Sequence, residues 1–232
     1  TNVLPFGNYI ALRGIDSNGM SFRRKVRYDP TLFVPSQKPS NWKTLDNKNV
    51  SPVKWGSMKE TREAMRSYPG DVFGIEGFQY SYIAENYHGM VDYDLSKIKI
   101  AFIDIETSSE YGFPNIREAN EEVLAISIKI GDDFKVYGCG EYEPADGVMY
   151  VKCRDESQLL EYFIRDWSAD YPDIVTGWNS RFFDIPYLMN RIIRILGEKP
   201  AQKMSPWGWY KTNEVTLVGN RKQQIYDIVG VS

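Results

Sequence analysis

Three acids carry the chemistry that this sequence offers. Asp104 and Glu106 stand two apart in KIKIAFIDIETSSEYGFP (97–114), and Asp184 follows Glu106 by 78 positions in TGWNSRFFDIPYLMNR (176–191). Residues two apart on a strand point to one face, so Asp104 and Glu106 project side by side with Ile98, Ile100 and Phe102. Two carboxylates that close do not both stay ionised cheaply without a cation or a shared proton. His88 is the only histidine, which excludes histidine-based zinc sites, Ser-His-Asp triads and histidine general bases built within this chain. A hard divalent ion, Mg²⁺ or Mn²⁺, is the economical partner for paired carboxylates. Each feature also has a plainer reading. The D-x-E pair can end a strand that opens into solvent. Asp184 is a favoured helix N-cap with Pro186 in the first turn, and Asn179 and Phe183 suit a turn and a core position.

The surrounding pattern predicts the elements that hold these acids. Ile98 to Ile105 is apolar enough for a buried strand, which puts the acids at its point of deepest burial. EVLAISIKI (122–130) and DFKVYGC (133–139) read as two further strands joined at Gly131 and Asp132, and VMYVKC as another. Asp155 and Gln158 open a helix with Leu159, Leu160, Phe163 and Trp167 on its apolar face. DIVTGW (173–178) is a strand, and a strongly periodic helix runs from Asp184 to Gly197. EVTLVGNRKQQIYDIVG reads as a hairpin. This is an α/β arrangement whose first three strands form an antiparallel meander, with the acids at a strand's C-terminal end, where ligands bind in open α/β sheets. Residues 1–96 read as a separate, smaller α+β domain. It starts with a hairpin turned at DSNG, has a polar loop over 36–56, and carries a helix capped by Ser57 and Glu60 and stopped at Tyr68-Pro69-Gly70. Two short elements follow, at Phe73–Phe78 and Tyr80–Ile83.

Composition narrows the classes. A net charge of −3 argues against a surface that is basic throughout, although Arg23, Arg24, Lys25 and Arg27 form a local strip. That strip is either a solvated strand face or a phosphate surface. Cys139 and Cys153 are too few for a disulfide framework or a thiolate zinc site, and reduced thiols are expected. No apolar run approaches the roughly 18 to 20 residues that cross a bilayer, and the first residues lack a secretory pattern, so the expectation is a cytoplasmic protein.

FIDIET resembles the first exonuclease motif of family B DNA polymerases, and GWNSRFFDIPYLMNR is similar to their second. SSEYGFP, YIALRGIDSNG, YDPTLFV and LGEKPAQKMSPW resemble the replicative polymerases of T-even-like bacteriophages. The resemblance implies an RNase H-like 3′→5′ exonuclease domain with a mixed sheet over 97–232, preceded by the smaller domain. It implies that Asp104 and Glu106 ligate metal, with Asp104 touching two ions, and that Asp184 holds the second. Asn179 and Phe183 would line the groove for the 3′-terminal nucleotide, and Phe113 would wedge against the terminal bases. Two ions activate water and stabilise the leaving oxygen, while aromatic faces hold single-stranded bases without reading them.

The family's third motif, with its last carboxylate and tyrosine, has no counterpart. Tyr226 and Asp227 are adjacent and on an expected strand. The exonuclease domain is therefore expected to be C-terminally incomplete, with an incomplete Mg²⁺ or Mn²⁺ site, weak metal binding and little turnover. The implied partners are a single-stranded 3′ DNA end, a missing C-terminal polymerase portion, and RNA at the Arg23–Arg27 strip, in an infected bacterial cell. A stand-alone exonuclease and a non-catalytic, nucleic-acid-binding piece of a split polymerase remain the alternatives.

Overall fold

The computed structural model describes residues 2–16, 18–89, 94–110 and 112–232. The chain divides into two units, 1–93 and 94–232. In the first, β1 (Asn2–Phe6), β2 (Tyr9–Ile15) and β3 (Ser21–Arg27) form an antiparallel meander. A second small sheet orders β4 (Leu32–Pro35), β6 (Asn49–Val53) and β5 (Trp42–Lys43). Helices α1 (Met58–Ser67) and α2 (Phe78–Asn86) complete the unit, whose core gathers Ile10, Leu12, Tyr28, Met58, Phe78 and Tyr82. Ser57 caps α1 as its spacing with Glu60 predicts: the Glu60 N–H donates to the Ser57 hydroxyl at 3.2 Å.

Two expectations fail in this unit. The polar stretch 36–56 holds β5 and β6, joined by a turn in which the Thr44 and Lys48 backbones and the Thr44 hydroxyl bond one another. Turn formers dominate its composition, and strands this short leave no alternation to read. The two short elements expected at 73–83 are one helix, α2, with Phe73 bridged instead to Phe33.

The second unit is built on a five-stranded mixed sheet ordered β10-β9-β8-β7-β11. Its strands are β7 (Ile100–Thr107), β8 (Val123–Ile130), β9 (Asp133–Gly138), β10 (Val148–Lys152) and β11 (Ile174–Thr176). Strands β7, β8 and β9 form the expected antiparallel meander, while β10 runs parallel to β9 and β11 parallel to β7. Helix α3 (Glu156–Ala169) follows the Asp155 cap, α4 (Asp184–Leu196) ends at Gly197, and α5 (Glu198–Gln202) precedes a hairpin of β12 (Tyr210–Thr216) and β13 (Lys222–Ile228).

Ala101, Ile103 and Ile105 of β7 pack with Leu159 and Phe163 of α3 and Leu188 and Ile192 of α4. The strand is therefore buried on one face only. Phe102 is 57% exposed, and Asp104 and Glu106 share its exposed face. The expected deep burial of the acids is wrong, because β7 alternates and its apolar Ile100 and Phe102 fall on the open side. This removes the desolvation problem that paired acids in a core would pose.

Helix α4 also clamps the segment after β7. The Arg191 guanidinium donates two bonds to Glu156, at 2.7 and 2.6 Å, and two more to the carbonyls of Ala119 and Asn120, at 3.0 and 2.8 Å. Glu156 in turn accepts the Val123 N–H at 2.7 Å. One turn to either side, Tyr187 donates to the Glu121 carbonyl and Arg194 to that of Glu118, with Asn190 donating to Ile116. Both members of the Arg191–Glu156 pair are buried, so removing one strands the other. Arg191→Ala is predicted to lose about 3–5 kcal/mol in urea unfolding; a loss below about 1 kcal/mol, the scale of a surface pair, would contradict this role.

Candidate active site

Asp104 and Glu106 sit opposite Ser127 and Ala125 of β8, and the register shifts by one residue immediately after Glu106. Such a bulge bends a strand and re-aims its side chains. Neither carboxylate has a hydrogen-bond or ion-pair partner among the described residues. Both face solvent from the end of β7.

Asp184 reaches the same place from the other side of the chain. Gly177 lies so close to β7 that a Cβ there would stand 2.3 Å from the Ile103 carbonyl oxygen, so a larger residue would push the loop off the strand. Asn179 then takes the left-handed conformation, φ 59°, and its carbonyl accepts the N–H groups of Phe182 and Phe183. This turn delivers Asp184 as the first residue of α4, only 2% exposed. Its carboxylate does not serve as an N-cap, a place taken by Phe183; Asp184 Oδ1 accepts the Ile105 N–H at 3.1 Å. Burial first, then the charges of Asp104 and Glu106, push the Asp184 carboxyl up to about 6 against the pull of two backbone N–H groups. The three acids thus share one electrostatic field.

An aromatic row borders the acids. Phe113, 80% exposed, lies 5.3 Å from the Phe183 ring, and Phe183 stacks on Tyr187 at 5.6 Å. Trp178, 93% exposed between Gly177 and Asn179, was not singled out from the sequence. Its place inside the second motif was the available signal. Tyr226 and Asp227 stand apart from the acids: Tyr226 donates to Asn190, and Asp227 accepts from Asn213. In the first unit Arg23, Lys25 and Arg27 share one face of β3, whereas Arg24 turns to the other and lies over Phe22. The expected four-residue strip is therefore split by strand alternation.

Among the described residues no three Asp, Glu, His or Cys side chains are grouped closely enough to hold an ion. The donor chemistry of Asp104 and Glu106 nevertheless fits a hard cation, because Mg²⁺ is commonly held by one or two carboxylates and completed by water and substrate oxygens. Asp184 commits one carboxylate oxygen to the Ile105 N–H.

The model of "DNA polymerase family B, exonuclease domain" matches residues 37–232. The chain belongs to DNA polymerase family B. It is 33% identical to the DNA-directed DNA polymerase of Enterobacteria phage T4, over 97% of this chain and 28% of that protein. It is 28% identical to the DNA-directed DNA polymerase of Escherichia phage RB69, over 99% of this chain and 29% of that protein. The DNA polymerase catalytic subunit of human herpesvirus 8 type P (isolate GK18) matches 41% of the chain at 31% identity, over 10% of that protein. The chain thus spans less than a third of the phage relatives it matches. Exonuclease domains of this family are typically dependent on divalent metal ions. Among the described residues no helix is long and apolar enough to cross a membrane.

The buried acid carries a pH signature in the absence of metal. Asp184 ionises near 3.8 when unfolded and near 6 when folded, so folding opposes its charge. The penalty is absent below the unfolded value, grows between the two, and is complete above about 6, at roughly 2–3 kcal/mol. Asn at this position keeps an oxygen for the Ile105 N–H and removes the charge. In EDTA, Asp184→Asn should be more stable than the wild type at pH 8 by about 2 kcal/mol, with the gap closing as the pH falls toward 4. Urea unfolding across that range checks it, and a gap independent of pH would contradict it.

Proposed function

We propose that the 94–232 unit removes nucleotides from the 3′ end of single-stranded DNA, as the proofreading exonuclease of a family B polymerase in an infected bacterial cell. The observation that carries this reading is the unpartnered Asp104–Glu106 pair on the open face of β7, flanked by buried Asp184 and by the exposed Phe113–Phe183 contact. A divalent ion bound there, Mg²⁺ or Mn²⁺, would supply an activated water and stabilise the leaving oxygen. Asp104 and Glu106 would be its ligands, and Asp184 would contribute to a second ion. Phe113 and Phe183 offer faces on which a frayed terminal base stacks without its sequence being read, at about 1–3 kcal/mol per base. Asn179, held by its turn beside Gly177, presents an amide to that terminal nucleotide. The polymerising portion found in the relatives is the proposed working partner.

A second surface is proposed for nucleic acid in the first unit. Arg23, Lys25 and Arg27 share the β-sheet face that also carries Phe6 and Tyr9, with Lys25 4.0 Å from the Phe6 ring centre. This mixture of cations and aromatics suits the phosphates and bases of RNA. Arg24, on the opposite face, is left out.

The main reading is tested with a single-stranded oligonucleotide labelled at its 5′ end and incubated with the 232-residue chain and Mn²⁺. Only slow, Mn²⁺-dependent shortening from the 3′ end is expected, because the carboxylate of the third motif has no counterpart here, and Asp104→Ala should slow it at least about a hundredfold, the scale on which losing a transition-state stabiliser slows an enzyme. Equal shortening by both proteins, or an untouched strand, would sink it.

A further inference from the structure

Cys139 and Cys153, which the acid site does not use, stand at the ends of neighbouring strands. The parallel pairing of β9 with β10 sets Val151 opposite Tyr137 and Lys152 opposite Gly138. One further bond continues this ladder, the Cys153 N–H donating to the Gly138 carbonyl at 2.8 Å. The next rung therefore pairs Cys139 with Cys153. Residues on one rung share a face of the sheet, and both cysteines pack into the core that holds Tyr137 and Val151. Both are free thiols.

The local backbone allows this pair to join. Neighbouring strands run about 4.8 Å apart, inside the roughly 4.4–6.8 Å that the Cα atoms of a disulfide span. A disulfide holds its Cβ atoms about 3.8 Å apart, so one strand end has to yield by about 1 Å. Cys139 lies just past the end of β9 between Gly138 and Gly140, and Gly140 has open space where a side chain would stand. Glycines on both sides let that backbone adjust, while the Tyr150 hydroxyl, 2.6 Å from the Gly140 carbonyl, keeps the segment beside β10. The thiols are unequally reachable: Cys153 is 2% exposed and Cys139 is half-buried. Burial first, then Glu122, Asp155 and Glu156, push the Cys139 thiol up, and burial followed by Cys139 does the same to Cys153. Thiols of this kind stay protonated near neutral pH and react slowly.

We propose that Cys139 and Cys153 form an oxidation site, a dithiol that a small-molecule disulfide such as oxidised glutathione converts to an intramolecular disulfide. The reachable Cys139 loses its proton to water, and its sulfur attacks one sulfur of the oxidant, releasing a first glutathione thiolate. The Cys153 sulfur, deprotonated in turn, attacks Cys139 in the mixed disulfide and releases the second. Two electrons pass to the oxidant, which leaves as two glutathione thiols. The new bond closes the 139–153 loop and fixes the chain two residues before Asp155, the cap of α3. Glu156 follows that cap and holds Arg191, which in turn holds the carbonyls of Ala119 and Asn120. Oxidation thus tightens the anchor of the clamp on the segment after β7.

The test is mass spectrometry of the intact chain after incubation with oxidised glutathione at pH 8, with thermal unfolding followed by circular dichroism. The wild type should lose two hydrogens, retain no glutathione and form no crosslink between chains. Its unfolding midpoint should rise by roughly 5 °C, reversibly in dithiothreitol. Cys153→Ser should retain one glutathione, on Cys139, because the second attack is gone. Cys139→Ser should retain none while folded, because its remaining thiol is buried. The urea-unfolded chain, treated in the same way, sets the extent of reaction when both thiols are open. A folded wild type that keeps two free thiols where the unfolded chain is oxidised would overturn the proposal. So would a glutathione adduct that persists on the wild type, a disulfide between chains, or a midpoint that falls on oxidation.

Discussion

The hydrogen bond from the Ile105 N–H to the Asp184 carboxylate joins the two segments that carry the acids, and much else in the second unit follows from it. It holds the first residue of α4 against the end of β7. With that start fixed, Ile185, Leu188, Met189 and Ile192 pack into the sheet, and Phe183 meets Phe113. The polar flank of the same helix then bonds to carbonyls from Ile116 to Glu121. One helix thus sets the third acid, the aromatic row and the course of the loop after the first motif. Gly177 is the condition for this arrangement, since no side chain fits between the loop and the Ile103 carbonyl.

The electrostatics of the unit are arranged around unmatched charge. Asp104 and Glu106 stay on the open face, and Asp184 alone is buried beside them with a raised ionisation point. On the far side of Phe113 the sign reverses, with three cations lining one cleft and a single glutamate bridging two of them. A small overall negative charge therefore conceals a local division of sign between the acids and the cleft. Phe113 lines that cleft and its ring contacts Phe183, the residue before Asp184.

Much of this was legible in the residues. The β7–β8–β9 meander, the caps of α1 and α3, the Gly197 stop and the β12–β13 hairpin all rest on local signals whose energies agree with the fold. Burial of β7 was misread because Ile100 and Phe102 make its outer face as apolar as its inner one. Periodicity then cannot say which face is covered. The choice for Asp184 between helix cap and site acid depended on a strand 79 positions away, which no local pattern contains. Arg191–Glu156 and Arg117–Glu214 are likewise long-range matches of ordinary surface-type residues, separated by 35 and 97 positions. The short β5 and β6 were hidden by their own turn.

The central claim is that Asp104 and Glu106 bind a divalent ion that the fold around Asp184 prepares. Electron paramagnetic resonance of free Mn²⁺ measures this directly, because protein-bound Mn²⁺ drops out of the sharp aqueous signal. Titration of the chain should show saturable Mn²⁺ binding that the double substitution Asp104→Asn, Glu106→Gln abolishes while leaving the unfolding transition in place. Mn²⁺ binding of equal strength in the doubly substituted protein would place the ion elsewhere and contradict the account.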